Sequence, residues 1–156
     1  MSKPVIEVRV RAVLPAAAGS AIFLESGPKM IVIYVDPSVA AAITMFMRKT
    51  PKDRPLTHDL MVHLLTALGA RVDRVIVNDV KSGTFFARLI LSAENELMQR
   101  KIIEIDARPS DCIALATAAG APIYVSQEVW DEVEDMSETF RQLEEGAAGP
   151  PDEPEA

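Results

Sequence analysis

The chain has 156 residues, of which 49% are hydrophobic and 25% are charged, and its formal net charge is −7. This length suits one domain with its own core and is short for two ordinary ones. No apolar run approaches the roughly 20 residues of a membrane span, and the N-terminus lacks the apolar segment of a signal peptide. Since the single Cys112 excludes an internal disulfide, we expect a soluble, cytoplasmic protein without a membrane partner.

The charge is unevenly distributed along the chain. Residues 1–125 carry a net charge of +3, whereas residues 126–156 carry −10. We therefore predict a mildly basic domain over 1–125, an acidic amphipathic helix over 126–145, and a disordered tail over 146–156.

The first third of the chain predicts strands followed by a helix. Alternating polar and apolar residues predict a half-buried strand over 5–14, and a Gly-Pro turn joins predicted strands over 21–24 and 30–35. Residues 39–48 predict a helix that is apolar nearly all round. Because such a helix would otherwise expose apolar side chains, we predict that it forms a homodimer interface.

The rest of the chain predicts the remaining elements of an α+β domain. The predicted elements are a helix over 57–68, a hairpin of strands 71–80 and 84–91, a strand over 102–105, a helix over 111–119 and a strand over 123–125. Together they indicate a single domain with a mixed, largely antiparallel sheet and packed helices.

The acidic C-terminal helix has a regular apolar pattern. Its apolar residues recur at alternating steps of four and three, and they are Val129, Val133, Met136, Phe140 and Leu143. This spacing predicts a narrow seam that suits one docking groove or one partner helix.

A strand-to-helix junction gathers the most suggestive polar residues, Asp106, Arg108, Ser110 and Asp111. We predict Ser110 as the N-cap of the following helix. Asp106 and Asp111 can bind a divalent cation such as Mg²⁺ or Mn²⁺, which would activate a water, and Arg108 can hold a phosphate through two hydrogen bonds. The alternative is structural, since acids near a helix start favour its dipole and Arg108 can simply pair with one of them.

A second polar group lies at the start of the helix over 57–68. Thr57 is predicted as the N-cap, with Asp59 in the first turn. His58 is placed unfavourably for a cation and well for a neutral base or a metal ligand. In the alternative interpretation the group only caps the helix. His63, on the polar face, is expected to be solvated.

Two further groups have both a functional and a structural interpretation. The densest positive cluster can attract phosphate or can be a solvated linker, and it consists of Arg48, Lys49, Lys52 and Arg54. Asp79, Gly83 and Arg88 belong to the second hairpin. Turn chemistry explains the first two, and a solvent-facing strand position explains the third.

Two short motifs, T-H-D-L and D-A-R-P-S-D, lie in the segments RPLTHDLMVHLLTALGARVDRVIVNDVKSGTFFARL and IEIDARPSDCIALATAAGAPIYV. With them, the stretch from about Val5 to Val125 resembles the bifunctional nuclease family, a small domain of bacteria and plants. The resemblance implies an α+β domain, a dimer, and cleavage of both DNA and RNA, as described for plant members. The residues that match the family motifs are Thr57, His58, Asp59, Asp79, Gly83, Asp106, Arg108, Ser110 and Asp111.

One stretch departs from the family pattern. After the third strand the family usually reads I-G-P-x-E-A-x-A-I, whereas this chain has Asp36 at the glycine and Val39 at the glutamate. If that glutamate belongs to the site, its loss weakens catalysis. Asp36 supplies a carboxylate nearby, from a different backbone position.

The sequence leads to one functional hypothesis and one alternative. In the hypothesis the protein hydrolyses phosphodiester bonds in DNA or RNA, with a metal bound by Asp106 and Asp111. His58 and Asp59 act as base or ligand, and Arg108 grips the phosphate. Further substrate contacts are assigned to Thr57, Ser110 and Arg54. We expect the site residues to converge in space. In the alternative, a non-catalytic binding or regulatory module keeps the fold.

Overall fold

In the computed structural model, which describes residues 3–147, a long sheet is combined with five short helices. The strands are β1 (Val5–Ala16), β2 (Gly19–Ser26), β3 (Lys29–Val35), β4 (Ala70–Lys81), β5 (Thr84–Glu94), β6 (Arg100–Ala107) and β7 (Ile123–Ser126). The helices are α1 (Pro37–Met47), α2 (Thr57–Ala67), α3 (Pro109–Ala119), α4 (Gln127–Glu132) and α5 (Ser137–Ala147). Over residues 3–147, no helix has both the length and the apolar character needed to cross a bilayer.

The seven strands form one mixed sheet in the order β3-β2-β1-β7-β4-β5-β6. Neighbouring strands are antiparallel except β4 and β7, which are parallel. β1 joins the two halves of the sheet, because its first residues pair with β7 and its later ones with β2. The last strand in sequence is therefore central, and β3 and β6 are the two edges.

One face of the sheet carries the main core beneath α1, α2 and α3. Successive side chains of a strand point to opposite faces, so every second residue reaches this core. Ile22, Ile31 and Val75 contribute from the strands, and Ile43 of α1 and Ile113 of α3 meet them, all fully buried. Because α3 packs between α1 and α2, its first turn lies among the starts of all three helices.

The outer face of the sheet is covered by α5 over β1, β2 and β3. Phe140 of α5 is 4% exposed and packs on Phe23, with ring centroids 5.0 Å apart. Arg11 lies 5.1 Å from the centre of the Phe140 ring and its Nη2 is 3.3 Å from Glu144 Oε1. These contacts place α5 on the side of the sheet opposite to α1, α2 and α3.

The predicted α+β class with a mixed, largely antiparallel sheet in a single domain is confirmed. Two predicted helix caps are wrong. Leu56, not Thr57, is the N-cap of α2, and the Asp59 carboxylate accepts a hydrogen bond from Leu56 N–H at 2.9 Å. Arg108, not Ser110, is the N-cap of α3, because proline favours the first helical position and Pro109 occupies it.

The predicted dimer through α1 stays a prediction, and α1 exposes less apolar surface than its sequence suggests. Ala40, Ile43 and Phe46 are buried against the main core of the same chain. Met47, at the end of α1, is the residue of this helix that remains exposed among the large apolar ones, at 39%. The core-facing side of α1 is thus covered within the domain, whereas Met47 stays exposed.

The predicted single C-terminal helix is two helices, α4 and α5, separated by residues 133–136. The interruption is tied to β3, since Met136 N–H donates to Met30 C=O at 2.7 Å and Met30 N–H donates to Asp135 Oδ1 at 3.2 Å. The predicted seam is consequently divided. Val129 belongs to the main core and Phe140 to the outer-face cluster. Two residues of the predicted tail belong to α5, and residues 148–156 lie outside the described part of the chain.

Candidate functional site

An open cleft lies where the starts of α1, α2 and α3 meet above β5 and β6, and its volume is about 850 Å³. Apolar side chains form much of its wall, among them Val39, Met45, Met61, Leu89 and Leu115. The polar residues that line it are Ser38, Thr57, His58, Arg108 and Asp111. An apolar cleft of this size with a few convergent polar groups is typical of a ligand-binding site.

Asp111 holds the polar group together. Its Oδ1 is 3.1 Å from His58 Nε2, and its Oδ2 accepts a hydrogen bond from Arg108 Nε at 2.9 Å. Both carboxylate oxygens are therefore engaged, one with an imidazole and the other with a guanidinium. The predicted convergence of His58, Arg108 and Asp111 is confirmed by these distances.

The local sequence explains how these three side chains are positioned. With Pro109 at the first helical position of α3, Asp111 falls in the first turn, where a negative charge favours the helix dipole. Arg108 precedes the helix and reaches forward three residues to it. His58, the second residue of α2, is 7% exposed, and its ring packs edge-on against Phe46 with centroids 6.4 Å apart. Packing on one side and the carboxylate on the other orient the imidazole.

The charges of the site stabilise one another. Burial opposes the ionisation of Asp111, but the hydrogen bonds from Arg108 and His58 outweigh it, so the pKa of Asp111 lies below its usual value. The hydrogen bond with Asp111 raises the pKa of Arg108 above its usual value. Asp36 has a lowered pKa, chiefly because Ser38 donates to it, and the charge of Arg108 adds to the effect. Asp36 is thus close enough to interact electrostatically with Arg108.

Asp59 does not join this group, so the predicted convergence is wrong for it. Its Oδ2 accepts from Leu56 N–H at 2.9 Å and lies 3.2 Å from Lys52 Nζ. It lines a different groove, beside Gly120 at the far end of α3. The adjacent positions His58 and Asp59 therefore face different surfaces, and the contacts of Asp59 are those of a helix cap.

Asp106 does not join the group either. Ile103 and Ala107 of β6 pack on the main core, so the alternation of the strand directs Asp106 to the outer face. There it lies opposite Arg88 of β5 and lines a cleft of about 320 Å³ that also includes Asp79. The sheet separates Asp106 from Asp111, and a metal site shared by the two predicted ligands is not formed.

The donor set expected for a divalent metal is absent from residues 3–147. Within these residues no three His, Cys, Asp or Glu side chains are arranged to hold a metal ion. Both oxygens of Asp111 already have protein partners. The neighbouring Cys112 is a poor ligand, because burial, with the charges of Asp111 and Asp106, raises its pKa to about 12. The residues present do not fit the predicted metal, and no chemical step is assigned to one.

Of the other predicted site residues, some line the cleft and others do not. Thr57 lines the cleft, whereas Arg54 lies in the exposed loop before α2 and is not part of the lining. Ser110 is 8% exposed and packs inside the first turn of α3. Gly83 has φ +79° in the β4–β5 turn, a conformation that glycine adopts without strain. The structure accounts for Gly83 as a turn residue.

Sequence reasoning missed the apolar wall of the cleft. Met45 and Val39 come from α1, Met61 from α2 and Leu115 from α3. Each is an unremarkable apolar residue in the sequence of its own helix, and only the packing of three helices brings them together. Val39 occupies the position where the family pattern has glutamate. In this chain that position contributes an apolar side chain to the wall of the cleft.

Comparison with known proteins shows which family the chain belongs to. Two relatives from Mycobacterium tuberculosis, the uncharacterized proteins MT1877 of strain CDC 1551 / Oshkosh and Rv1829 of strain ATCC 25618 / H37Rv, are each 38% identical to it over 104 residues. The matched stretch is 67% of this chain and spans 58% of the length of either relative. The model of the bifunctional nuclease domain matches residues 22–138, which include the cleft and the three residues joined by Asp111. The chain therefore belongs to the bifunctional nuclease domain family.

Proposed function

We propose that the protein cleaves phosphodiester bonds in nucleic acid with His58, Arg108 and Asp111. The observation that carries this proposal is that one carboxylate holds an imidazole and a guanidinium in the same open cleft. Phosphodiester cleavage requires a group that binds the anionic phosphate and a group that removes a proton from the nucleophile. Membership in a family named for nuclease activity supports nucleic acid as the substrate class.

Arg108 is the phosphate-binding group in this proposal. Asp111 engages its Nε, and the side chain is 69% exposed. The two terminal nitrogens can therefore donate to two phosphate oxygens, the paired geometry that guanidinium provides. The same contact neutralises charge that accumulates on the phosphate during attack.

His58 is the general base. Because Asp111 is ionised and can only accept, Nε2 of the neutral ring carries the proton and Nδ1 keeps its lone pair. Nδ1 can then take a proton from an attacking water, or in RNA from a ribose 2′-hydroxyl, whose oxygen bonds to phosphorus. The P–O bond to the departing nucleotide breaks, and the departing oxygen takes a proton from the solvent. Asp111 acts through His58, since its carboxylate orients the ring and stabilises the imidazolium that forms.

A matched pair of histidine variants tests the proposal. His63 lies on the same helix but on its exposed face, so His63→Ala is a control for His58→Ala. We expect His58→Ala to slow plasmid nicking and RNA degradation by at least about 100-fold, and His63→Ala to keep the wild-type rate. Thermal unfolding confirms that both variants are folded. Equal rates in the two variants would remove His58 from the mechanism.

A non-catalytic binding module is the second candidate function. The observation that favours it is Val39, an apolar residue of the cleft at the position where the family pattern has glutamate. In that case the wild type binds nucleic acid without forming product. Val39→Glu, which adds a carboxylate to the cleft, then produces cleavage that the wild type lacks. Measuring binding and product on the same samples distinguishes the two functions.

We also propose that the protein acts as a homodimer in the reducing environment of the cytoplasm. Cys112 is fully buried, and it is the one cysteine of the sequence, so the chain relies on no disulfide of its own. The mildly basic charge of residues 1–125 suits a polyanionic partner better than the total charge of −7 does.

A further inference from the structure

The apolar wall of the cleft is open to a ligand. Leu89 and Leu115 form its buried part, and Val39 and Met45 of α1 add partly buried side chains. Met61 of α2 completes the wall and is 41% exposed. Because burying apolar surface is favourable, a flat apolar group that enters this cleft of about 850 Å³ is held without a specific hydrogen bond.

The same cleft presents a cation and no unpaired carboxylate. Asp111 engages Nε of Arg108, which leaves the two terminal nitrogens of the guanidinium to donate to an anion. Among the described residues that line the cleft, Asp111 is the one acid, and both its oxygens already have protein partners. A ligand with an anionic part and a flat apolar part therefore matches the cleft.

A second cation lies beside the cleft. Arg54 is exposed and forms no ion pair within residues 3–147. It comes two residues before Leu56, which lines the cleft together with Thr57. Pro55 between them has a fixed φ, which limits how far the loop can carry Arg54 away. Arg54 is thus placed to hold an anion just outside the cleft.

These features favour an unpaired base over a base pair. In a duplex the base faces are covered by stacking, so the surface presented to a protein is mainly phosphate and sugar. An apolar wall cannot offset the lost hydration of those polar groups. A single strand can instead turn its bases outward and stack their flat faces on side chains, whatever the sequence.

We infer that the cleft binds one unpaired nucleotide of a nucleic-acid strand, with its base against the apolar wall and its phosphate on Arg108. The sulfur atoms of Met45 and Met61, from two different helices, offer polarizable contacts to the aromatic base. Arg54 holds a neighbouring phosphate. The inference rests on the proposed function for nucleic acid as the substrate class, but it does not require cleavage.

Three probes test the requirement for an unpaired base. Fluorescence anisotropy gives the dissociation constants of the full chain for an oligothymidylate of about twelve nucleotides, for its duplex with oligoadenylate and for an abasic strand of the same length. Gel electrophoresis confirms that the probes stay intact. We expect the single strand to bind at least about tenfold more tightly than the other two, although the duplex carries more charge. A duplex or an abasic strand that binds as tightly as the single strand overturns the inference.

Matched variants of α2 test where the base lies. Met61→Ser removes an apolar side chain from the wall. Leu64→Ser is its control, because Leu64 is 53% exposed on the same helix and is not part of the lining. We expect Met61→Ser to weaken single-strand binding at least about fivefold and to leave duplex binding unchanged, and Leu64→Ser to bind like the wild type. Unchanged single-strand binding in Met61→Ser would contradict the assigned position of the base.

The salt dependence of binding tests the neighbouring phosphate. Arg54→Gln is expected to reduce the slope of log affinity against log salt concentration by about 0.7, the contribution of one phosphate contact in a single strand. Arg141→Gln is the control, since Arg141 lies on α5 at the opposite face of the sheet, and its slope should equal that of the wild type. An unchanged slope in Arg54→Gln would remove Arg54 from the path of the strand.

Binding and product formation are measured separately, so the inference and the proposed function can fail independently. A chain that binds the single strand selectively and forms no product supports the inference and removes the proposed cleavage. A chain that cleaves nucleic acid but binds all three probes equally overturns the inference and leaves the proposed cleavage standing.

Discussion

Replacing Asp111 with asparagine removes the one charge that joins His58 and Arg108 while keeping the shape of the side chain. The amide can accept through one oxygen, but its nitrogen donates and cannot satisfy a second donor. One of the two hydrogen bonds, at 3.1 Å to His58 or at 2.9 Å to Arg108, is therefore lost or reversed. The histidine ring would then take the other tautomer or rotate.

The size of the effect follows from the exposure of the partners. A hydrogen bond to a charged group contributes about 1.5–3 kcal/mol. The Arg108 side chain is 69% exposed and so contributes only a fraction of that, whereas His58 is 7% exposed. We expect Asp111→Asn to lower the free energy of unfolding at pH 7 by about 1–2 kcal/mol. For a chain of this length, that is a decrease of about 2–8 °C in Tm.

The pH dependence of the stability difference distinguishes loss of the Asp111 hydrogen bonds from a general loss of packing. Because the folded-state pKa of Asp111 lies below its unfolded value, its contribution is complete above the unfolded pKa, near 4, and is lost as the pH falls through the folded pKa. Urea unfolding of the wild type and Asp111→Asn at pH 7, 5 and 3 measures this. The difference between the two proteins should shrink below about pH 4. A difference that stays constant down to pH 3 would refute the reasoning.

Three further substitutions have distinct expected results. Arg108→Lys keeps the charge but loses the paired donors, so cleavage should fall more than about tenfold while Tm changes little. Phe140→Ala removes the contact with Phe23 and should cost about 3 kcal/mol in urea unfolding, yet leave cleavage unchanged because α5 lies on the opposite face of the sheet. Gly19→Ala would set a Cβ 2.6 Å from Val35 C=O at φ +113°, and should lower the free energy of unfolding by about 1–3 kcal/mol.

Local signals in the sequence predicted most elements of the fold. The hairpins depend on residues within a few positions of one another, and so do the observed N-caps, Asp36 of α1 and Ser126 of α4. The caps of α2 and α3 were misassigned by one or two residues, although Pro109 already marked the first helical position. The break between α4 and α5 required contacts with Met30, which is more than 100 residues away in sequence.

The candidate site was only partly predictable for a similar reason. His58 and Asp111 meet because α2 and α3 pack side by side, which the sequence motifs suggested but could not specify. The outward direction of Asp106 follows from strand alternation, since Ile103 and Ala107 occupy the buried positions of β6. That signal was present in the sequence. The apolar wall formed by Val39, Met45 and Met61 depends on helix packing and has no local signature.

Chemical rescue of His58→Gly tests the central claim most directly. The substitution removes the imidazole from an open cleft that has room for a small molecule. If His58 is the general base, cleavage of plasmid and RNA by the variant should fall at least about 100-fold and should recover in part, with saturation, as free imidazole is added. A variant that cleaves at the wild-type rate and does not respond to imidazole would contradict the proposed role of His58 in this cleft.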